Sequence, residues 1–146
     1  DLGAGGCGNW TVANVEGRLE VAVGGSGTIR TGTSRSLEAA VGGSGSIFAG
    51  ATGDLEASIG GSGNIVVASV NGPAEVSIGG SGDVAIRGGR ATTLEVAVAG
   101  SGNVRFDGTA ASLEASIAGS GDVRVAEVTG PVSRSIVGSG EVYIGR

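Results

Sequence analysis

One short glycine-rich turn recurs along the whole chain. The segment VGGSGTIR at Val23–Arg30 returns six more times with small changes. Alignment on its central serine gives the positions Ser26, Ser44, Ser62, Ser81, Ser101, Ser120 and Ser139, which lie 18 to 20 residues apart. The segment GCGNWTV fits the same template with Cys7 in the serine position, so the chain holds eight copies. A fixed period near 20 residues is the signature of a repeat architecture, in which each repeat packs on its neighbours.

Apolar residues alternate on both sides of each turn. Positions seven, five and three before the serine are apolar in nearly every copy, as in Leu55, Ala57 and Ile59. Positions three and five after it are apolar too, as in Ile65 and Val67. Apolar side chains at every second position predict a β-strand with one buried face. Each copy therefore predicts a strand, a tight turn, a second strand and a looser connection. Strands this short bury their apolar faces only when the copies stack.

The repeat predicts an all-β fold. We expect a single-stranded parallel β-helix, or β-solenoid, of about eight coils of 18–20 residues that forms one domain over residues 1–146. Neighbouring coils should lie ~4.8 Å apart. We attribute the corner glycines to two properties of this residue. Glycine adopts positive φ without steric cost, and it lets successive coils approach closely.

The composition limits the classes of function that the chain can have. The chain has 14 acidic residues and nine basic ones, all arginine, so its net charge is -5 and a nucleic-acid-binding surface is disfavoured. No run approaches the roughly 18 apolar residues of a membrane span. Histidine and lysine are absent, and the lone Cys7 takes a serine position of the repeat. The usual nucleophile and base pairs are therefore missing, and we predict that the protein is not an enzyme.

The repeats resemble a known bacterial family. The segments LEASIGGSGNIV and LEASIAGSGDVR, and the ending SIVGSGEVYIGR, are similar to the GIN domain family of autotransporter adhesin head domains. The resemblance covers nearly the whole chain and is a signature of fold rather than of a site. It implies a right-handed parallel β-helix in an exported protein, either extracellular or in the bacterial cell envelope. It brings no catalytic residues.

An outward column of carboxylates is the strongest polar pattern, comprising Glu20, Glu38, Glu56, Glu75, Glu95 and Glu114. Neighbouring carboxylates at coil spacing should repel by roughly 1–3.5 kcal/mol. One interpretation is a divalent-cation site, and the other is a solvated stripe that keeps rods apart. We favour the stripe, because one Glu per coil supplies few ligands per ion. The GGSGD segments at Asp83 and Asp122 are a weak match to calcium-binding nonapeptides, so we expect no cofactor and keep calcium as the weak alternative.

Two further columns point outward after the turn. The first holds mostly Asn, Asp, Ser and Thr, from Asn9 to Glu141, and predicts a structural ladder of hydrogen bonds rather than a ligand stripe. The second includes Arg30, Arg105 and Arg124, for which we expect surface ion pairs of little energetic value. Sugar-binding aromatic residues are scarce in the outward columns, which contain only Phe48 and Tyr143.

A flat strip and the two ends are the candidate self-association surfaces. The outward column two residues after the glutamates holds only Ala and Ser, namely Ala22, Ala40, Ser58, Ser77, Ala97, Ser116 and Ser135. No dissimilar segment is expected to cap the ends, which would leave unpaired backbone groups there. Trp10 and Tyr143 lie in the end coils. Arg134 occupies a core column of the last coil, for which we therefore expect the role of a partial cap.

Two functions follow from these patterns. The leading hypothesis is a non-enzymatic extracellular or cell-envelope structural protein, a stiff solenoid that stacks end to end into filaments or adheres through its flat faces. Its partner is then a second copy or a cell-surface component. The alternative is a monomeric adhesin or cation-binding module that uses the glutamate stripe.

Overall fold

The computed structural model describes the backbone of residues 2–4 and the whole of residues 8–144. This part of the chain contains sixteen β-strands and no helix, so no helix able to span a membrane is found in it. The strands are β1 (Leu2–Ala4), β2 (Asn9–Val12), β3 (Arg18–Val23), β4 (Thr28–Thr31), β5 (Ser34–Val41), β6 (Ser46–Ile59), β7 (Asn64–Val70), β8 (Ala74–Ile78), β9 (Asp83–Ile86), β10 (Arg90–Ala91), β11 (Leu94–Val98), β12 (Asn103–Ala110), β13 (Leu113–Gly119), β14 (Asp122–Val128), β15 (Val132–Gly138) and β16 (Glu141–Ile144). Cys7 lies outside the described residues.

The turns divide the sheet into two stacks of parallel strands. The strands before the turns pair in the order β1-β3-β5-β6-β8-β11-β13-β15, and those after the turns in the order β2-β4-β6-β7-β9-β12-β14-β16. Strand β6 belongs to both stacks, because it continues through the connection between them. The arrangement is a β-solenoid of about 7 turns, which confirms the predicted all-β fold. We call the outer surface of the first stack the first face and that of the second stack the second face.

Strands of neighbouring coils pair so that equivalent positions of the repeat lie side by side. Leu55 of one coil pairs with Leu37 of the coil before it and with Ala74 of the coil after it. The predicted inward columns are accordingly buried in the middle coils, where Ile47, Ile65 and Phe106 have no solvent exposure. Each large aliphatic side chain buried in this way contributes on the order of 1.5–3 kcal/mol. The alternation read from the sequence thus defines one continuous core.

The core columns are open at the two end coils. Trp10, predicted to be internal, is 46% exposed, and Val132 and Ile136 are each 40% exposed. Arg134 of the same coil is exposed as well. An inward side chain is covered from both sides only when coils stack above and below it, and the end coils have a described neighbour on one side only. The prediction that these columns are buried was wrong for the end coils.

The corner glycines owe their place to close packing between coils. Among the described residues only Gly89 and Gly138 have positive φ, and only Gly138 lies in one of the repeated turns, so the expected left-handed corner was wrong for the other described turns. A Cβ built on Gly63 would instead fall well inside contact with the carbonyl oxygen of Gly45 and with Val41. At Gly63 the two coils are therefore in backbone contact, which leaves no room for a side chain at this position.

One buried hydroxyl in the core lacks a partner. Thr31 Oγ1 is buried and makes no hydrogen bond within the described residues, whereas Thr52 Oγ1 donates to the Asp54 carbonyl oxygen at 2.8 Å. An unsatisfied buried polar group costs about 1–3 kcal/mol. The equivalent position in other coils holds Val12 or Val67, so valine fits this column.

We therefore expect Thr31→Val to raise the free energy of unfolding by about 1 kcal/mol, because it removes the unpaired hydroxyl at nearly constant volume. The matched variant Thr52→Val should lower it, since that hydroxyl is satisfied. Urea denaturation of the two variants tests this pair. A loss of stability in Thr31→Val would contradict the argument.

Candidate functional site

The first face carries the glutamate stripe in strict register. Glu38 pairs with Glu20 and Glu56 on neighbouring strands, and Glu95 pairs with Glu75 and Glu114. The stripe borders a shallow groove of about 450 Å³, whose polar lining includes Glu38, Asp54, Glu56, Glu75 and Glu95. The flat Ala/Ser strip runs beside it and is solvent-exposed from Ala22 to Ser135. The first face is thus acidic along one edge and nearly without bulk along the other.

One arginine is paired with the stripe. Arg18 Nη2 donates to Glu38 Oε2 at 2.6 Å, and Ser36 Oγ donates to Asp54 Oδ2 at 3.3 Å in the coil above. The hydrogen bond from Arg18 to Glu38, together with the negative charges of Glu38 and Glu20, raises the pKa of Arg18 above its ordinary value. Within residues 8–144, no three acidic, His or Cys side chains converge on a point where a metal ion could bind. The carboxylates of the stripe are spread along the rod, one to a coil.

The stripe predicts a salt-dependent stability. Stacked carboxylates repel less when salt screens them, so the melting temperature should rise between 10 and roughly 300 mM NaCl, across which the Debye length shrinks severalfold. The double variant Glu56→Gln/Glu75→Gln should show a smaller rise, because it removes repulsion at the centre of the stripe. Glu16→Gln, which lies outside the stripe, is the control. Equal salt dependence in all three proteins would contradict a repulsive stripe.

The polar column after the turn forms a hydrogen-bonded ladder. The backbone N–H of Asn103 donates to Asp83 Oδ1 at 3.1 Å, and that of Asp122 donates to Asn103 Oδ1 at 3.1 Å. The next rung joins the Glu141 N–H to Asp122 Oδ1 at 3.2 Å. These side-chain oxygens satisfy backbone donors of the coil above, which confirms the predicted structural role in these coils.

Arginine and aromatic side chains stack on the second face. The Arg30 guanidinium lies 5.6 Å from the ring centre of Phe48, and that of Arg124 lies 5.5 Å from the ring centre of Tyr143. Arg105 Nε donates to Asp107 Oδ1 at 3.1 Å, which is the expected kind of surface ion pair. The Arg and aromatic pairs were missed in the sequence. Their signal was present, because each pair is separated by one period of the repeat within one outward column.

Two concavities adjoin these stacked pairs. One, of about 340 Å³, is lined by Asn9, Trp10, Thr11, Thr28 and Arg30. The other, of about 220 Å³, is lined by Asn103, Val104, Arg105, Asp122, Arg124 and Tyr143. The candidate self-association residues are not gathered in one place. Trp10 lies in the first coil, Arg134 and Tyr143 lie in the last, and the flat strip occupies the first face.

The fold and the surface define an all-β solenoid scaffold. The charged side chains follow the repeat in columns, as in a scaffold that presents surfaces. A family model described as "Putative auto-transporter adhesin, head GIN domain" matches residues 49–145, about two thirds of the chain. The chain belongs to this family, and the resemblance seen in the sequence is confirmed. No curated protein and no solved structure matches it. Fold and family fit a non-enzymatic, adhesin-like role in a surface or exported protein.

Proposed function

We propose that this chain is a stiff structural adhesin of the bacterial cell envelope whose solenoids stack end to end. The observation that carries the proposal is the apolar surface of the end coils. Ile136 and Ile144 of the last coil are 40% and 38% exposed, and Trp10 of the first coil is 46% exposed. All three stand in inward columns, where the middle coils bury the equivalent residues. Covering them with another coil would recover this hydrophobic contribution.

The observed register gives the geometry of such a contact. Strand β16 pairs with β14 so that Val142 stands on Val123, and β2 pairs with β4 so that Trp10 stands on Ile29. One more step of the same register places Val142 against the Trp10 of a second copy. A contact between two different surfaces of the same molecule is heterologous, and because it translates along the rod it produces a filament rather than a closed ring.

Arg134 sets the strength of this contact. It occupies the column that holds Ala57 and Ala115 in other coils, and it pairs in register with Ala115. Burying an unpaired guanidinium costs several kcal/mol, so Arg134 opposes stacking and favours short assemblies. Arg134→Ala should therefore lengthen the assemblies, whereas Ile136→Lys should shorten them, because a charged residue blunts an exposed strand edge.

Negative-stain electron microscopy and sedimentation velocity at micromolar concentration test the proposal. We expect thin filaments whose mean length grows with concentration, increases in Arg134→Ala and falls in Ile136→Lys. Discrete rods at every concentration, in the native protein and in Arg134→Ala alike, would overturn end-to-end stacking. Ser58→Lys, which changes the flat strip and leaves both ends intact, is the control for length.

Adhesion through the flat strip of the first face is the second candidate function. The exposed Ala and Ser side chains from Ala22 to Ser116 leave a surface on which another flat surface can lie closely. If this is the function, monomeric rods should adhere to a cell-surface component and Ser58→Lys should abolish adhesion.

Cation binding by the glutamate stripe is tested by measuring the melting temperature with and without calcium. A calcium-dependent rise in melting temperature that disappears in Glu56→Gln/Glu75→Gln would support cation binding.

A further inference from the structure

The second stack carries all the exposed aromatic rings of the described residues: Phe48 and Tyr143 lie on the second face, and Trp10 stands in an inward column that opens at the first coil. Trp10, Phe48 and Tyr143 are 46%, 39% and 45% exposed, while the fourth aromatic residue, Phe106, is fully buried. The described first face has no aromatic residue and carries the glutamate stripe. Exposed aromatic rings beside polar groups mark interaction sites on otherwise polar surfaces. The second face is therefore the surface suited to a ligand that has apolar as well as polar parts.

The aromatic side chains of this face are held in place. Arg124 lies over the Tyr143 ring, and the Tyr143 hydroxyl donates to Glu141 Oε2. Phe48 is likewise covered by Arg30. Stacking fixes the plane of each guanidinium and leaves N–H groups at its edge free to donate. Side chains ordered before binding lose less entropy when a ligand arrives.

The same constellation occurs twice along one face. Asn9 and Asn103 stand in one column of the repeat, and Arg30 and Arg124 stand in another. Each concavity thus combines an Asn, an Arg and an aromatic ring. They lie five coils apart, a span of ~24 Å along the axis. Between them the column holds Phe48, which is exposed, and Val66 and Ala85, which are half-buried.

Charge favours a neutral ligand on this face. The two outward columns that follow the turn hold three arginines and three acidic residues, namely Arg30, Arg105, Arg124, Asp83, Asp122 and Glu141. The carboxylates of Asp83 and Asp122 already accept hydrogen bonds within the face. The charges are therefore close to balance. The whole chain has a net charge of -5, and the stripe of the first face adds to the field that repels polyanions.

We infer that the second face binds a neutral polysaccharide lying along the solenoid axis. Sugars offer hydroxyl groups around an apolar ring face, and this chemistry matches amide, guanidinium and hydroxyl groups set beside aromatic rings. The N-terminal subsite consists of Asn9, Trp10, Thr28 and Arg30. The C-terminal subsite consists of Asn103, Arg105, Asp122, Arg124 and Tyr143. The inference supplies a ligand class for the adhesive role of the proposed function and rests on it to that extent.

Two subsites on one rod make binding bivalent. A polymer held at one subsite presents its next segment to the other at high effective concentration, so avidity exceeds the affinity of either subsite. Loss of one subsite should therefore weaken binding to long polymers by about 100-fold or more, and should have a smaller effect on binding to short oligomers.

The experiment uses an immobilised panel of neutral gluco-, galacto-, manno- and N-acetylglucosamine oligomers, with sialylated and sulfated oligomers as the acidic arm. The proteins compared are the native chain, Arg124→Ala/Tyr143→Ala, Arg30→Ala and the first-face control Glu114→Gln. Trp10 is the only tryptophan of the chain and lines the N-terminal subsite, so its fluorescence reports binding directly in solution.

We expect retention on at least one neutral polymer, a shift of Trp10 emission on titration with its oligomers, and weaker retention in both second-face variants but not in Glu114→Gln. Retention on acidic oligomers alone, retention on no oligomer, or equal loss in Glu114→Gln would overturn the inference. Melting temperatures confirm that the variants remain folded, since the replaced side chains are exposed. Filaments without glycan retention would overturn this inference and leave end-to-end stacking intact.

Discussion

Replacing Gly63 by alanine is expected to lower the free energy of unfolding by about 3 kcal/mol or more, at the upper end of the cost of overpacking. The added methyl group would overlap the carbonyl oxygen of Gly45 and the Val41 side chain in the coil before it. The Gly45 carbonyl oxygen belongs to the backbone of the turn in the neighbouring coil, so it can move away only if the two coils separate. Because every later coil rests on this one, the strain is carried along the stack.

The control lies in the same turn. A Cβ on Gly60 would be 3.9 Å from the Val41 carbonyl oxygen, an ordinary contact, and the equivalent positions of two later turns already hold Ala99 and Ala118. Gly60→Ala should therefore change stability by less than about 1 kcal/mol and can increase it. Thermal and urea denaturation of the two variants measure the difference. Equal losses would show that flexibility of the turn, rather than contact between coils, selects glycine.

The two phenylalanines of the chain provide the second large prediction. Phe106 is fully buried, stands in register between Ile86 and Val125, and is the largest of the fully buried side chains. Phe106→Ala should cost about 3–5 kcal/mol, because stacked coils at fixed spacing cannot collapse into the cavity. Phe48→Ala removes an exposed ring that contacts Arg30 and should cost about 1 kcal/mol or less.

Urea denaturation of dilute protein, in which end-to-end contacts are absent, compares the two variants. A loss in Phe48→Ala as large as that in Phe106→Ala would mean that the second face contributes to the core. A small loss in Phe106→Ala would mean that neighbouring coils close around the cavity.

Much of the architecture could be predicted from the residues. The inward columns follow from alternation of period two, and the register follows from a repeat in which each coil pairs with the next at equivalent positions. The corner glycines were found by the same alignment, but one of the two reasons given for them was wrong. A sequence shows where glycine recurs, whereas the φ angle and the distance to the next coil exist only in the folded chain.

The candidate sites were less predictable. Trp10 was assigned to the core because its column is apolar, and its exposure depends on which coils lie beside it. Arg30 and Phe48, and likewise Arg124 and Tyr143, stand one period apart in one outward column, but the stacking of each guanidinium on its ring depends on side-chain rotamers that the alignment does not supply. The glutamate stripe was visible at once, but whether its carboxylates converge is a question of distances in space.

The sequence by itself determined the all-β solenoid, its period and its inward and outward columns, because short strands with one apolar face bury it by stacking successive copies. The repeated motifs also carried the resemblance to the adhesin head family. Only the tertiary structure decided which side chains share a surface. It brings residues about 19 positions apart to neighbouring strands, opens the core columns at the end coils and separates an acidic first face from an aromatic second face. Because the coils stack, residues one period apart in the sequence become neighbours in space. These neighbours determine the solvent exposure of each side chain, the local balance of charge and the stacking of arginine on aromatic rings.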